Sequence, residues 1–461
     1  MTNPTLLLRL LFAAAVFIVH TNGTAMNSSI GATVFAGWLG LLSLTTTAQV
    51  VEFADPNLEA VVREALGSPS GDITVELMQD LKALDASYRE IFSLIGLESA
   101  HELRTLNLSF NSLTDVHFPA GISNLISLDL NGNLMTHLAL PADLLQLRSL
   151  NLAENDLHEF SFLTNATQLA RLNLQYNNLT ELSLPSGLTN LRSLDVGFNN
   201  VTNFDSLEPL TGIIELNLDD NGLRSLSLPR SLADLTVLTI SINRLTNFSF
   251  LTNFPFLAIL DISASLLREI ELPDGLSFMS WINLAENRLH HFEAPGGWTS
   301  LSTIALGDNM LTNICLAGLT ALEILDLPKN QLTDVFLPPE LNSLRAVTLS
   351  MNPLQRLRLS SSLAEGYLSS TVSSLRTGGV AVDAYPTRVG LRRPHLAGAG
   401  DFVLTLEGPP GDYRLLVSDN LEHWEIWQQL RLESAVTIRV DHENTTGAKF
   451  FRAERANTNC P

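Results

Sequence analysis

Residues 103–113, LRTLNLSFNSL, decide the fold, because their spacing of leucines around one asparagine keeps returning along the chain. The asparagine, or the residue in its place, recurs every 22 residues, with a single step of 21. A fixed period of this length predicts a solenoid of stacked coils. The twelve positions are Asn111, Asn133, Asn155, Asn177, Asn199, Asn221, Asn243, Ser265, Asn287, Asn309, Asn330 and Asn352.

Each coil is expected to contribute one short strand to a parallel sheet. The Leu-x-Leu at its centre alternates with period two, so both leucines point inward and the residue between them faces outward. The asparagine follows where the chain leaves the strand, and a buried side-chain amide there can bond backbone groups of adjacent coils. Ser265 has a shorter side chain, so we expect it to break this ladder and produce a local irregularity.

The repeated phrase resembles the leucine-rich repeat, and the segment before it is similar to the helical N-terminal cap of internalin-like bacterial proteins. Asp55 is placed to cap a helix that has Pro56 in its first turn and ends at Gly67, and Thr74 is placed to cap a second, shorter helix. A degenerate coil at residues 81–91 follows in phase, with Arg89 at the asparagine position. The resemblance implies that the helices cover the apolar end of the first coil.

The expected fold class is a β-rich (α/β) leucine-rich-repeat solenoid with a parallel concave sheet, a helical N-terminal cap and a separate small all-β C-terminal domain. Residues 360–396 are interpreted as a C-terminal cap and linker, and residues 397–461 resemble a small β-sandwich module of exported bacterial proteins, with Trp424 and Phe450 in its core. The remaining boundaries are 1–48 for a signal peptide or N-terminal anchor, 49–80 for the helical cap, and 81–359 for one degenerate and twelve regular repeats.

Composition and motifs restrict the function. A formal net charge of −21 makes nucleic acid and anionic lipid headgroups unfavourable partners, although the same charge also keeps an exported protein soluble. The two cysteines, Cys315 and Cys460, give neither a disulfide framework nor a metal-ligand spacing. Motifs for hydrolysis, phosphate binding and paired-cysteine chemistry do not occur. We therefore expect a non-enzymatic protein without a metal or a small-molecule cofactor.

The candidate binding residues lie on the outward face of the strands. The residue between the two inner leucines is Asn or Asp in nine of twelve coils, Asp261 and Asn283 among them. Two residues earlier, the array is polar in its first half and mainly apolar in its second. Contiguous apolar surface marks interaction sites, and Trp is enriched among hot-spot residues. The predicted hot spot is centred on Trp281, with Val237, Ile259 and Ile324 beside it and Ile242 at the strand exit.

Resemblance to internalin-like proteins implies a protein ligand on the concave face and a role in adhesion or cell-surface interaction. A carbohydrate or envelope polymer is the alternative, because Asn and Asp side chains lie beside aromatic residues such as Tyr176, Phe198 and Trp281. A purely structural surface protein is the third possibility. Membrane contact is expected only if the N-terminal leader is retained.

The leader gives a first testable prediction. Residues 1–48 contain one basic residue and two apolar stretches, each shorter than the ~20 residues of a membrane-spanning helix. Thr46 and Ala48 suit cleavage by signal peptidase, whether translation starts at Met1 or at Met26. N-terminal sequencing of the exported protein should therefore return Gln49 or an adjacent residue. An N-terminus at either methionine would contradict cleavage and favour a retained anchor.

Overall fold

The computed structural model describes residues 49–114, 116–396, 402–433, 436–440 and 449–456. The leader with its expected cleavage site, and Cys460, lie outside these ranges. Residues from Val51 onward form one compact unit. In the described ranges, no helix has the length and apolar character needed to cross a membrane.

The repeats build a single parallel sheet of thirteen strands, which confirms the predicted fold class. Neighbouring strands keep one register, so that Leu106 pairs with Leu128 and Leu150 pairs with Leu172. The middle residue of every strand is buried, as the alternation predicts. The strands are β1 (Ala83–Asp85), β2 (Thr105–Asn107), β3 (Ser127–Asp129), β4 (Ser149–Asn151), β5 (Arg171–Asn173), β6 (Ser193–Asp195), β7 (Glu215–Asn217), β8 (Val237–Thr239), β9 (Ile259–Asp261), β10 (Trp281–Asn283), β12 (Thr303–Ala305), β14 (Ile324–Asp326) and β16 (Ala346–Thr348).

Buried asparagines form the expected ladder at the turn after each strand. The Asn221 side chain donates to the carbonyl of Leu218 at 3.2 Å and to the carbonyl of Val196, one coil earlier, at 3.0 Å. Its oxygen accepts the amide of Val201 at 2.8 Å. One side chain therefore bonds the backbones of two adjacent coils, and this satisfies polar groups that the turn would otherwise leave unpaired in the interior.

A single carboxylate ties the N-terminal helix to the first coil. One oxygen of the fully buried Asp55 accepts the amides of Asn57 and Leu58 at 2.9 and 3.3 Å, which caps the helix. The other oxygen accepts the amides of Phe92 and Ser93 at 2.6 and 3.2 Å. Asp55 thus both starts the helix and holds it against the degenerate coil.

The two N-terminal helices are α1 (Pro56–Leu66) and α2 (Val75–Met78). Gly67 ends α1 with a φ of 62°, a left-handed conformation that favours glycine. Thr74 accepts the amide of Leu77 at 3.2 Å and so caps α2, as expected.

The side opposite the sheet carries short 3₁₀ helices and strands. Phe160 and Phe248 are fully buried there, and Phe162 and Phe250 pack partly buried beside them, which agrees with their predicted role in the core. The elements on this side are the 3₁₀ helices Leu97–Ser99, Ser161–Asn165, Asp205–Leu207 and Ser249–Asn253, the paired strands β11 (His291–Glu293) and β13 (Asn313–Cys315), and the strand β15 (Asp334–Phe336).

The end of the solenoid differs from expectation. Helices α3 (Ser361–Glu365) and α4 (Ser369–Thr377) occupy the expected cap, but the following residues, interpreted as a linker, contain strand β18 (Ala381–Tyr385). This strand pairs in parallel with β17 (Arg356–Ser360), which pairs in turn with β15. Strands β15, β17 and β18 therefore form a separate three-stranded parallel sheet, distinct from the thirteen-stranded repeat sheet.

Two antiparallel sheets follow. Strand β20 (Phe402–Glu407) pairs with β19 (Gly390–Leu396) and β23 (Val436–Val440), while β21 (Gly411–Ser418) pairs with β22 (Glu425–Leu432) and β24 (Phe450–Arg455). Contrary to expectation, Phe450 is exposed and Trp424 only partly buried. The residues that form the core of this region are Leu406, Tyr413, Leu415, Leu432 and Ile438.

Arg358 joins this C-terminal region to the last coils. Its guanidinium lies 3.1 Å from the carboxylate of Asp334 and 3.5 Å from that of Glu433. The solenoid is therefore contacted at its end. Cys315, on β13, is buried and disulfide-bonded, although the spacing of the cysteines predicted no disulfide framework.

Ser265 gives a prediction about the ladder. In the adjacent coils Asn243 and Asn287 accept the amides of Leu223 and Leu267 at 2.9 and 3.0 Å. The Ser265 hydroxyl instead donates to the carbonyl of Ser263 at 3.0 Å and accepts the amide of Asn243 at 3.4 Å, and the described residues show no bond from it to the amide of Leu245. Ser265→Asn should restore the missing bonds and stabilise the fold by about 1 kcal/mol, the usual net contribution of a hydrogen bond.

Urea unfolding measures this change as a rise in the midpoint at constant m value. Ser263→Asn is the control, because residue 263 lies outside the ladder. A midpoint that does not rise for Ser265→Asn, or that rises equally for the control, would contradict the explanation.

Candidate binding face

The strand face presents three columns of side chains. The first and last residues of each strand form the first and second outward columns, and both flank a buried residue. The residue before each ladder asparagine forms an exit column. It has a positive φ in coil after coil, although most of these residues are not glycine. The exit column consists of Tyr88, Phe110, Gly132, Glu154, Tyr176, Phe198, Asp220, Ile242, Ala264, Glu286, Asp308, Lys329 and Met351.

Three of the predicted hot-spot residues lie side by side in the first outward column. Val237, Ile259 and Trp281 occupy the adjacent strands β8, β9 and β10 and are paired in register. Each is only partly buried. Ile324 is also exposed, but it lies on β14, and Thr303 on β12 separates it from Trp281. The structure thus groups the first three residues and places Ile324 two strands from Trp281.

Ile242 occupies the exit column of the coil that contains β8. It has a φ of 55°, an unfavourable conformation for a β-branched side chain, and it is 42% exposed. Its amide donates to the carbonyl of Ser263 at 3.0 Å, so the backbone geometry is imposed by coil stacking. Burial of the Ile242 side chain therefore contributes little to the stability of the fold, and an isoleucine at this strained position is consistent with a role at the surface.

Two further exposed phenylalanines precede strands β9 and β10, and the sequence analysis missed them. Phe256 and Phe278 stand three residues ahead of Ile259 and Trp281, are 46% and 54% exposed, and have ring centroids 5.5 Å apart. Both phenylalanines lie three residues before a strand, outside the alternation of inward and outward residues. The six preceding coils have a polar residue or glycine at the equivalent position, so a comparison between coils could have identified the change to Phe. We call Val237, Ile259, Trp281, Phe256 and Phe278 the apolar patch.

Carboxylates lie next to this patch. Asp261 accepts the amide of Ser263 at 2.9 Å and the side-chain amide of Asn283 at 3.1 Å, which joins the two predicted polar residues of β9 and β10. Asp195, on β6 and therefore two strands before Val237, accepts the amide of Gly197 at 3.0 Å. We call Asp195, Asp261 and the intervening Asp219 the acidic row.

Burial affects the charge of two carboxylates in this row. It raises the pKa of Asp195, against hydrogen bonds from Gly197 and Asn217 that lower it. Burial also raises the pKa of Asp219; hydrogen bonds from Ser241 oppose this shift, while the charges of Asp261 and Asp195 add to it. The negative charges of Asp195 and Asp219 are therefore unfavourable in the free protein.

Aromatic pairs mark the exit column in the first half of the array. Tyr176 and Phe198 stack with ring centroids 4.3 Å apart and planes inclined by 15°, and Tyr88 and Phe110 stack in the same way at 4.5 Å. Tyr176 is exposed and Phe198 partly buried. These predicted residues form a platform separate from the apolar patch.

The acidic row does not form a recognisable metal site. Within the described ranges, no group of three or more His, Cys, Asp or Glu side chains is arranged to hold a metal ion. The row instead consists of carboxylates spread over several strands, each already hydrogen-bonded to the backbone or to a neighbouring side chain.

The raised pKa of Asp219 predicts a pH-dependent stability. The folded chain holds this proton more tightly than the unfolded chain, so the contribution favours folding below the ordinary pKa of 3.8 and is lost as the pH rises through the folded value. Asp219→Asn removes that loss. The difference between the urea unfolding midpoints of Asp219→Asn and the native protein should therefore increase as the pH is raised from about 4 to about 7. The exposed Asp220 supplies the control Asp220→Asn; an equal rise for both variants would contradict the assignment.

Comparison with known proteins supports the fold. A family profile described as leucine-rich repeats in two copies matches residues 167–209. No curated protein sequence matches the chain. An internalin, InlF, from Listeria monocytogenes is 24% identical and aligns over 75% of this chain and 100% of its own, with a TM-score of 0.57.

Two further solved structures are similar at lower TM-scores. InlJ from Listeria monocytogenes is 19% identical, with 78% of this chain and 96% of its own aligned and a TM-score of 0.49. The plant peptide hormone receptor RGFR1, solved in complex with RGF2, is 24% identical, with 68% and 57% aligned and a TM-score of 0.43. The family profile thus matches residues 167–209, and the solenoid has the fold seen in an internalin.

Proposed function

We propose that this chain is an exported recognition protein that binds another protein on its strand face and carries out no catalysis. The observation that carries the proposal is the apolar patch. Val237, Ile259 and Trp281 are adjacent on the sheet, and two exposed phenylalanines, three residues before Ile259 and Trp281 in the chain, pack with their ring centroids 5.5 Å apart. A soluble protein rarely exposes contiguous apolar surface without a partner for it.

The position of the C-terminal region supports an open patch. Its ion pair with the solenoid, Arg358 to Glu433, lies at the last coils. Phe256 and Phe278 are exposed in the structure. A solenoid whose coils contact only their neighbours leaves its strand face free along its length, and leucine-rich-repeat solenoids commonly use such surfaces for protein–protein interaction.

Two observations support export. The apolar leader ends in residues that suit signal-peptidase cleavage, and Cys315 is disulfide-bonded. Structural disulfides persist mainly in oxidising compartments outside the cytosol. The protein is therefore proposed to act in the medium or at the cell surface, as an adhesion or recognition protein; retention by an uncleaved leader is the alternative.

Carbohydrate binding is the second candidate, and a specific feature favours it. The stacked Tyr176 and Phe198 expose aromatic surface at the exit column, close to the polar second outward column. Aromatic faces beside hydrogen-bonding side chains suit a ligand that is apolar on one side and polar at its rim. This platform lies in the first half of the array, so variants can separate the two candidates.

The proposal predicts that Trp281 is a binding hot spot. The immobilised native chain should retain one or more cell-envelope proteins. The Trp281→Ala variant should lose these proteins or bind them about 30-fold more weakly, because truncating a hot-spot residue costs about 2 kcal/mol or more of binding free energy. Mass spectrometry identifies the retained proteins, and titration of the purified partner measures the dissociation constant.

Tyr176→Asn is the matched control, since Asn tolerates the positive φ of this position. A glycan array is probed with the same variants. Protein binding that survives Trp281→Ala in a normally folded chain would reject the patch, and glycan binding lost with Tyr176→Asn would establish the second candidate instead.

A further inference from the structure

The surroundings of the apolar patch carry a strongly one-sided charge. From β6 to β10, the outward columns, the exit column and the turn residues between them hold six carboxylates and neither lysine nor arginine. Among the described residues, none of the six forms an ion pair with a basic side chain. They are Asp195, Glu215, Asp219, Asp220, Asp261 and Glu286.

The arginines of these coils lie outside the three columns. Arg224, Arg230, Arg244, Arg268 and Arg288 follow the exit column in sequence, and three other basic residues flank the stretch. On the first outward column Arg171 lies on β5, one strand before the stretch begins. Lys329, in the exit column beyond β12, is 2.8 Å from the carboxylate of Asp308. Arg192 precedes β6 and donates to the carbonyl of Gly212 at 2.9 Å. Among the residues that the structure describes, the carboxylates of the acidic row therefore form no ion pair with a basic side chain.

The acidic row is also held in place. The Asp195 carboxylate accepts the amide of Gly197, and the Asp219 carboxylate accepts the amide of Ser241 at 2.7 Å. These bonds fix the side chains but leave acceptor capacity, because a carboxylate has two oxygens with about four lone-pair sites. A preorganised, half-buried carboxylate interacts more strongly with a cation than a freely moving, solvated one does.

We propose that the strand face from β6 to β10 binds a segment of a partner protein in which arginine or lysine alternates with large apolar side chains. The cationic groups would lie on the acidic row, and the apolar side chains on the patch of Val237, Ile259 and Trp281. This inference rests on the proposed function and specifies the chemistry of the partner.

The size of the surface sets the length of the segment. Five adjacent strands span four spacings of ~4.8 Å, or ~19 Å. An extended chain advances ~3.3 Å per residue, so about six residues cover this length. A short extended segment is therefore sufficient to contact both the acidic row and the apolar patch.

The test uses synthetic peptides of about six residues. One alternates leucine and arginine; in a second, glutamate replaces arginine; in a third, serine replaces leucine. Isothermal titration with the full mature chain should show that the leucine–arginine peptide binds at least about tenfold more tightly than either of the others. Raising NaCl from about 0.1 M to about 1 M shortens the Debye length from about 10 Å to about 3 Å and should weaken that binding about tenfold.

Two double variants distinguish binding of the peptide at β6 to β10 from a general attraction of the basic peptide to an acidic protein. Asp195→Asn with Asp261→Asn should weaken the leucine–arginine peptide about tenfold. The control pair, Asp129→Asn with Asp326→Asn, changes the same column and the same net charge outside β6 to β10 and should leave affinity unchanged. Asparagine retains the oxygen that accepts the backbone amide, so both pairs should fold, and circular dichroism checks this.

Equal weakening by the two double variants would overturn the inference, as would undetectable binding of the leucine–arginine peptide or equal binding of the serine–arginine peptide. A protein partner that depends on Trp281 but is insensitive to Asp195→Asn with Asp261→Asn would keep the proposed function and overturn the charge inference. If no retained protein depends on Trp281 for binding, the proposed function itself is rejected.

Discussion

The asparagine ladder is the interaction on which the rest of this solenoid depends. Asn199 donates to the carbonyls of Val196 and, one coil earlier, Leu174, both at 3.0 Å, and its oxygen accepts the amide of Leu179 at 2.9 Å. Each buried side-chain amide thus closes a turn whose backbone groups would otherwise lack partners away from water. Because the same bonds link two coils, they fix the register of the sheet. They also accompany the positive φ of the preceding residue, which directs that side chain to the exit column.

Because the register is fixed, the side chains that are neighbours on the strand face can be predicted by aligning the repeats in the sequence. Residues 22 apart become neighbours separated by one strand spacing of ~4.8 Å. The buried middle leucines carry the packing, so the outward positions are free to vary without loss of the core. Function therefore appears as a change along a column. The change from Ser193 and Glu215 to Val237, Ile259 and Trp281 marks the beginning of the apolar patch.

Sequence predicted the parts of the molecule that follow from local periodicity. The buried leucines, the asparagine ladder and the caps at Asp55 and Thr74 all depend on residues within one coil or helix turn, and the structure confirms them. Residues whose environment depends on distant pairing were not predicted. Strand β18 lacks a clear alternation and is formed because β17 offers an open edge, and Phe450 was assigned to a core that other strands supply. Phe256 and Phe278 lie outside the strand alternation, so only a comparison between coils identifies them.

The acidic row has a physical explanation beyond solubility. Solubility requires exposed charge, which Asp220 and Glu286 already provide. Burial raises the pKa of Asp195 and Asp219, so their ionisation opposes folding. A cationic partner would remove that penalty on binding, while like-charge repulsion would disfavour contact between two copies of this chain through the same apolar patch. Carboxylates at these positions therefore both attract a basic partner and protect an exposed apolar surface from self-association, which exposed charges far from the patch would not do.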